Sequence, residues 1–181
     1  MRDDQRQAGR VIIVTGAMAA GKSTVADLLA ERLPRSVHVR GDVFRRMVVN
    51  GRADMGPDAS PEALAQLRLR YDLATTTADR YAAAGFTVVL QDVVIGPELA
   101  EFVDRIVTPD RYLVVLAPSV AALEQRERER AKTGYTGFSP ADLDRVLRHD
   151  TPRLGYWLDS SDLSPTATVD AILANLAAAA L

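Results

Sequence analysis

A phosphate-binding motif near the start of the chain limits what it can fold into. Residues 16–24 read Gly-Ala-Met-Ala-Ala-Gly-Lys-Ser-Thr, a complete G-x-x-x-x-G-K-[ST] pattern, and they directly follow the apolar run 11–14. Apolar residues then recur at helical spacing over 25–33. A strand, a glycine-rich loop and a helix in this order form the context in which the pattern binds phosphate. We therefore expect an α/β protein built on this unit.

The motif supplies the contacts that a bound triphosphate needs. Its glycines let backbone N–H groups wrap the phosphates, Lys22 reaches the β- and γ-phosphates, and the Ser23 hydroxyl ligates Mg²⁺. A glycine-rich turn without a ligand is the alternative, but it leaves Lys22 and Ser23 unexplained. The choice between ATP and GTP stays open, because no base-reading motif stands out. The predicted nucleotide-binding residues are Gly16, Ala17, Ala19, Ala20, Gly21, Lys22, Ser23 and Thr24.

The bulk composition narrows the class of protein. The chain has 181 residues, a net charge of −2 and no cysteine, which suits one domain over residues 1–181 without disulfides or thiolate metal sites. The charge balance does not indicate a nucleic-acid groove. No apolar run approaches the ~20 residues of a membrane span, and residues 1–10 lack the apolar core of a signal peptide. We expect a cytoplasmic protein whose partners are neither membranes nor nucleic acid.

Apolar runs and helical patterns alternate along the rest of the chain. Such alternation is typical of a parallel sheet covered by helices on both faces. These sheets bind ligands outside the carboxyl ends of their strands. The long helix 61–84 should bury Leu64, Leu67, Tyr71 and Ala74. The predicted strands are 11–15, 37–40, 86–91, 112–116 and 156–159, and the predicted helices are 26–33, 43–49, 61–84, 97–105, 120–130, 140–149 and 165–179.

Charged residues follow the second strand. Asp42 stands where a carboxylate can face the γ-phosphate, orient an acceptor hydroxyl and take its proton. The alternative is that Asp42 serves only as the N-cap of the helix 43–49. Arg45 lies three residues on, on the same helical face, and is predicted to bind the acceptor, with a surface salt bridge as the alternative. Arg46 points elsewhere and is expected to be solvated.

A carboxylate also follows the third strand. Asp92 closes an apolar run, as does the acidic residue on the magnesium side of phosphate-loop enzymes. We predict that Asp92 holds Mg²⁺ through water or positions the acceptor. A cap at the end of the strand is the alternative interpretation.

An arginine-rich stretch lies in the second half of the chain. Arg126 and Arg130 are four residues apart and share one helical face, and Gly134 and Gly137 follow as a hinge. We predict a lid over about 126–149 that brings these arginines onto the nucleotide, where a guanidinium stabilises charge on the transferring phosphoryl group. A solvated helix of alternating charges is the alternative.

Together these motifs resemble those of the small phosphate-loop kinases, and those of chloramphenicol phosphotransferase most closely. That enzyme similarly has the phosphate loop, an aspartate after strand two, a D-V-[hydrophobic]-x-G segment and an arginine-rich lid. The spacing of Asp42 and Arg45 is also similar to that in polynucleotide and nucleoside monophosphate kinases. The resemblance implies a five-stranded parallel sheet of order 2-3-1-4-5 with a helical lid. In one departure, Gln91 precedes Asp92 where chloramphenicol phosphotransferase has an acidic pair.

The residues and the resemblance favour an ATP-dependent phosphotransferase that uses Mg²⁺. The expected acceptor is a hydroxyl of a small molecule, such as an antibiotic or a nucleoside-like metabolite. One alternative is a nucleotide or polynucleotide 5′-kinase, and another is an ATP-binding switch without an acceptor. Self-association into a homo-oligomer is left open. Catalysis is assigned to Asp42, Lys22, Arg130 and Arg126, acceptor binding to Asp42, Arg45 and Asp92, and the metal to Ser23 and Asp92.

Overall fold

A computed structural model of the protein describes residues 9–129 and 137–181. Within these two ranges, each strand is followed by one or two helices. The strands are β1 (Arg10–Gly16), β2 (Ser36–Arg40), β3 (Thr87–Gln91), β4 (Arg111–Leu116) and β5 (Tyr156–Leu158). The helices are α1 (Lys22–Arg32), α2 (Gly41–Met47), α3 (Pro61–Ala83), α4 (Glu98–Asp104), α5 (Val120–Glu129), α6 (Pro140–Arg145) and α7 (Pro165–Ala174). A π-helical turn (Val146–Asp150) continues α6, and a 3₁₀ turn (Leu176–Ala179) follows α7.

The five strands form one parallel sheet in the order β2-β3-β1-β4-β5. The predicted fold class and strand order are therefore confirmed. In the centre of the sheet, Val11 of β1 is in register with Val88 of β3 on one side and with Arg111 of β4 on the other. Because all strands point the same way, their carboxyl ends share one edge, where ligands of such sheets bind.

The side chains of β1 alternate between two apolar cores. Val11 and Ile13 pack with α3 and α4 on one face of the sheet, whereas Ile12 and Val14 pack with α1 and α7 on the other. All four are at most 1 % exposed, because helices cover both faces of the sheet. This double burial explains why the strands read as continuous apolar runs.

Capping residues set several helix boundaries. Ser60 accepts a hydrogen bond from the Ala63 backbone at the start of α3, and Ser164 caps α7 in the same way. The predicted burial of Leu64 is wrong, because Leu64 is 37 % exposed and Ala63 is buried instead. The last helix ends earlier than predicted, at Ala174, because Asn175 leaves helical geometry. None of the helices within 9–129 and 137–181 combines the length and apolar character that crossing a bilayer requires.

Candidate active site

The phosphate loop leaves the amino terminus of α1 open. Gly16 has a φ of 143°, and a Cβ added there would collide with the carbonyl oxygen of Leu116 on β4. Gly21 is the N-cap of α1 with a φ of 87°, no side chain caps the helix, and a Cβ at this glycine would meet open space. Uncapped N–H groups at a helix start bind anions. The backbone therefore presents a phosphate-sized opening.

Lys22 folds back over this loop. Its Nζ donates a hydrogen bond to the carbonyl oxygen of Ala17 at 2.7 Å, and its side chain is buried. Residues 18–24 line a cleft, whereas Gly16 and Ala17 lie buried beneath it. Most of the predicted nucleotide-binding residues therefore line one cleft, and Gly16 and Ala17 are buried and do not line it.

The cleft has a volume of about 1030 Å³ and extends from the phosphate loop to helix α3. We call the part lined by residues 18–25, Gln91, Arg126 and Ser160 the phosphate-loop side. We call the part lined by Asp42, Arg45, Asp54, Arg70, Asp92 and Glu98 the α3 side. The predicted residues Asp42, Arg45, Asp92 and Arg126 are thus brought to one cleft with Lys22 and Ser23.

Asp42 lies in the first turn of α2 and does not cap it. The helix begins at Gly41, and its N-cap is Arg40, so the predicted N-cap alternative is wrong. Gly41 packs its bare Cα against the Asp92 carboxylate, where a Cβ would collide. The Asp42 side chain is 43 % exposed. Its carboxylate is free of any capping duty and lines the cleft.

Arginines surround the Asp42 carboxylate. Arg45 donates from Nε to Asp42 at 3.0 Å and from Nη1 to Asp54 at 2.6 Å. Arg46 reaches the second oxygen of Asp42 at 3.1 Å. The expectation that Arg46 is simply solvated missed this contact, although its side chain is 57 % exposed. Arg45 makes the salt bridges of the alternative interpretation and also lines the cleft, and its contact with an acceptor stays a prediction.

Asp92 holds Arg70, a half-buried arginine that no sequence motif indicated. Its Oδ2 accepts a hydrogen bond from Nε of Arg70 at 2.9 Å, and its Oδ1 contacts Nη2 of the same guanidinium. Oδ1 also accepts from the Val93 backbone at 2.6 Å. Burial lowers the pKa of Arg70, but an arginine remains charged. Both oxygens of Asp92 are thus engaged, and its role at the metal stays a prediction.

Gln91, the residue before Asp92, faces the phosphate loop. Its Oε1 accepts a hydrogen bond from the Ser23 hydroxyl at 3.4 Å, and the side chain is buried. Successive residues of a strand point to opposite faces of the sheet. Gln91 and Asp92 therefore serve opposite sides of the cleft.

The residues at Ser23 fit a Mg²⁺ ion that is held mainly by nucleotide phosphates and water. A serine hydroxyl that donates its hydrogen bond to Gln91 keeps its oxygen lone pairs available for a metal. In the described part of the chain, no three His, Cys, Asp or Glu side chains converge as they would around a protein-bound metal. Mg²⁺ commonly uses few protein ligands beside phosphates, so this arrangement is compatible with the predicted cofactor.

Arg126 connects three segments at the edge of the cleft. It donates from Nη2 to the carbonyl oxygens of Ser160 at 2.6 Å and Ser161 at 3.3 Å, and from Nη1 to that of Ala20 at 3.5 Å. These contacts tie α5 to the phosphate loop and to the loop after β5. The other predicted lid arginine, Arg130, lies outside the described residues.

The α3 side contains residues with only a weak signal in the sequence. Arg70 stands one position before Tyr71, at the border of the apolar stripe, and that border position is its only signal. The Tyr71 hydroxyl donates to the Val93 carbonyl at 3.1 Å, and burial raises its pKa to about 12. Glu98 is exposed at the start of α4 and makes no hydrogen bond or ion pair with the residues described here.

This fold and this loop define the class of phosphate-loop nucleotide-binding domains. The family model AAA_33, described as an AAA domain, matches residues 11–150, and the chain therefore belongs to that family. Among curated proteins, none matches the sequence significantly.

Several solved structures share the fold at low sequence identity. A sugar kinase from Janibacter sp. HTCC2649 is 16 % identical, with a TM-score of 0.69 over 94 % of this chain and 96 % of that one. A gluconokinase from Sinorhizobium meliloti 1021 is 19 % identical (TM-score 0.60, coverage 94 % and 93 %). The tunicamycin resistance protein of Deinococcus radiodurans is 17 % identical (TM-score 0.62, coverage 92 % and 95 %). The predicted resemblance is confirmed at the level of the fold.

Proposed function

We propose that the protein is an ATP-dependent phosphotransferase that phosphorylates a hydroxyl group of a small molecule. The observation that carries the proposal is the two-sided cleft, in which Asp42 and the Arg70–Asp92 pair lie opposite the phosphate loop. A protein that only binds a nucleotide has no use for a proton acceptor in this cleft, and a hydrolase needs only a group that positions water. The names of the sugar kinase and the gluconokinase with this fold support the same reaction class.

The phosphate-loop side binds the donor. The open amino terminus of α1 and Lys22 contact the β- and γ-phosphates, and their positive charge stabilises the transferring group. Ser23 ligates the Mg²⁺ that accompanies ATP, and this ion neutralises phosphate charge when it is bound. Arg126, and Arg130 in the proposed lid over about 126–149, add guanidinium groups at the edge of this side.

The α3 side binds and activates the acceptor. Asp42 accepts the proton of the acceptor hydroxyl as the oxygen attacks the γ-phosphorus. The new O–P bond forms while the bond from the γ-phosphorus to the β–γ bridging oxygen breaks, and ADP leaves. Arg70 orients an acceptor oxygen with the N–H groups that Asp92 does not use. Arg45, fixed between Asp42 and Asp54, limits how the acceptor enters.

Charge compensation on the α3 side favours an uncharged, hydroxyl-rich acceptor. Asp42, Asp54 and Asp92 are each paired with arginine. Paired groups still offer hydrogen bonds, but they exert little net field on a charged substrate. Glu98 adds an acceptor of hydrogen bonds that suits a hydroxyl donor. Sugars and glycosylated antibiotics carry such groups, and the fold is shared with a tunicamycin resistance protein.

The alternative 5′-kinase function requires Arg45 to bind an acceptor phosphate. In the structure Arg45 already contacts two carboxylates, which an anionic acceptor would have to displace. This favours a small neutral acceptor over a nucleotide or polynucleotide. A nucleotide-dependent switch has no acceptor, so it does not explain a proton acceptor such as Asp42 or an orienting group such as Arg70.

The test is acceptor-dependent formation of ADP from radiolabelled ATP. The panel contains matched sets of sugars, nucleosides and antibiotics with their phosphorylated forms. Transfer of label to a neutral hydroxyl compound, lost in Asp42→Asn, is the expected result. Transfer to nucleotides or oligonucleotides alone would establish the 5′-kinase alternative. Nucleotide binding without transfer to any acceptor would contradict the phosphotransferase proposal.

A further inference from the structure

Beside Ser23, the predicted magnesium ligand, the chain has an amide side chain where phosphate-loop enzymes have an aspartate. Gln91 is the side chain that accepts the Ser23 hydrogen bond, at 3.4 Å. Asp92 follows it but is engaged by Arg70 and by the Val93 backbone. The side chain that contacts the predicted magnesium ligand is therefore uncharged. This position differs from a magnesium-side aspartate in charge while keeping the same hydrogen-bond acceptor.

A carboxylate on the helix that covers this sheet face is already paired with basic groups. Asp27 lies on α1, but its carboxylate contacts His38 at 2.7 Å and Arg40 at 2.6 Å. His38 stands beside Gln91 on the sheet face that α1 covers, and burial lowers its pKa despite the Asp27 contact. A neutral imidazole and a paired carboxylate neither attract nor repel a cation strongly. Gln91 thus adds no charge beside a carboxylate that is already paired.

We propose that Gln91 is the positioning residue that orients Ser23 towards Mg²⁺, and that its lack of charge raises the Mg²⁺ concentration that nucleotide binding requires. Its amide oxygen accepts the hydrogen bond from the Ser23 hydroxyl and leaves the lone pairs of Ser23 directed to the cleft. The phosphates then supply the negative charge that the protein does not. The inference rests on the proposed nucleotide site, but it requires no acceptor.

Two conservative substitutions separate the contact from the charge. Gln91→Asn keeps the amide but shortens the side chain, so it loses Ser23. Gln91→Glu keeps the reach and the acceptor oxygen, and adds a negative charge next to the metal position. Asn175→Asp is the matched control, because it makes the same amide-to-carboxylate change at an exposed residue outside the cleft.

The measurement is the binding of a fluorescent ATP analogue across a Mg²⁺ titration, with melting temperatures recorded in EDTA. Gln91→Glu should lower the half-saturating Mg²⁺ concentration about fivefold, because the added charge attracts the cation. Gln91→Asn should raise it about threefold, because one oriented hydrogen bond is lost. In EDTA, Gln91→Glu should lower the melting temperature moderately, because it places a carboxylate at a position that is only 8 % exposed. Both variants should still be folded at the temperature of the binding assay.

The outcomes separate this inference from the proposed function. If both Gln91 variants show the wild-type Mg²⁺ dependence, as Asn175→Asp should, Gln91 is only a packing residue and the inference is wrong. If the wild-type protein fails to bind the analogue at any Mg²⁺ concentration, the nucleotide site and the proposed function are wrong. If the Gln91→Glu titration shifts to higher Mg²⁺, the charge argument is overturned.

Discussion

The two sides of the cleft are built in different ways. The phosphate-loop side comes mainly from one continuous segment, residues 18–25, which includes the uncapped backbone N–H groups at the start of α1. The α3 side brings together side chains from α2, α3, the end of β3 and the connecting loop at Asp54. Backbone groups hold phosphate whatever the neighbouring side chains are. Paired side chains depend on each partner, so the α3 side should be more sensitive to single conservative changes.

The largest effect is expected at Asp42. Asp42→Asn removes the proton acceptor but keeps its shape, so turnover should fall about 10³-fold while ATP affinity stays near wild type. Steady-state kinetics with the identified acceptor and fluorescent ATP binding measure the two quantities. Asp58→Asn, at an exposed residue that does not line the cleft, is the matched control. Unchanged turnover in Asp42→Asn would show that Asp42 forms salt bridges but is not the proton acceptor.

Lys22 should give the next largest effect and affect both quantities. Lys22→Met keeps the length of the side chain but removes the charge that faces the phosphates. Transfer should fall roughly 10²-fold, and ATP affinity should weaken as well, in contrast to Asp42→Asn. Binding and single-turnover measurements with saturating acceptor separate the two losses. A variant with normal ATP affinity would mean that the loop backbone alone holds the nucleotide.

The same contrast explains how much the sequence could predict. A contiguous motif such as residues 16–24 carries its geometry with it, and apolar runs locate strands that are buried on both faces. The pairing of Arg70 with Asp92 spans 22 positions and depends on how α3 packs against β3, which no local pattern records. The prediction for Asp92 followed its place at the strand end. Successive side chains of a strand point to opposite faces of the sheet, and it is Gln91, not Asp92, that contacts Ser23.

A third prediction tests whether Arg70 and Asp92 act as one unit on the acceptor. Arg70→Lys cannot reproduce the paired contacts of a guanidinium with a carboxylate, so the acceptor KM should rise about tenfold with ATP affinity unchanged. Asp92→Asn should do the same, and the double variant should be little worse than either single one. Arg68→Lys, exposed on the same helix, is the control. Additive effects would show that the two residues act separately.

The smallest effect is expected at Gly41, which tests the packing beneath the α3 side. An alanine Cβ would overlap the Asp92 carboxylate, so Gly41→Ala must displace Asp92 and with it Arg70. The free energy of unfolding should fall by about 1–3 kcal/mol, and the acceptor KM should rise severalfold, by less than in Arg70→Lys. Urea unfolding and acceptor kinetics measure the two effects.

Gly56→Ala is the matched control for this variant, because a Cβ at Gly56 meets no atom within 4 Å. It should leave the acceptor KM unchanged and should not reduce stability. If Gly41→Ala lowers stability but not acceptor affinity, Asp92 moves without carrying Arg70 along, and the two residues are not coupled. If stability and acceptor KM both change in Gly41→Ala and neither changes in Gly56→Ala, the contact between α2 and Asp92 sets the position of the Arg70 guanidinium.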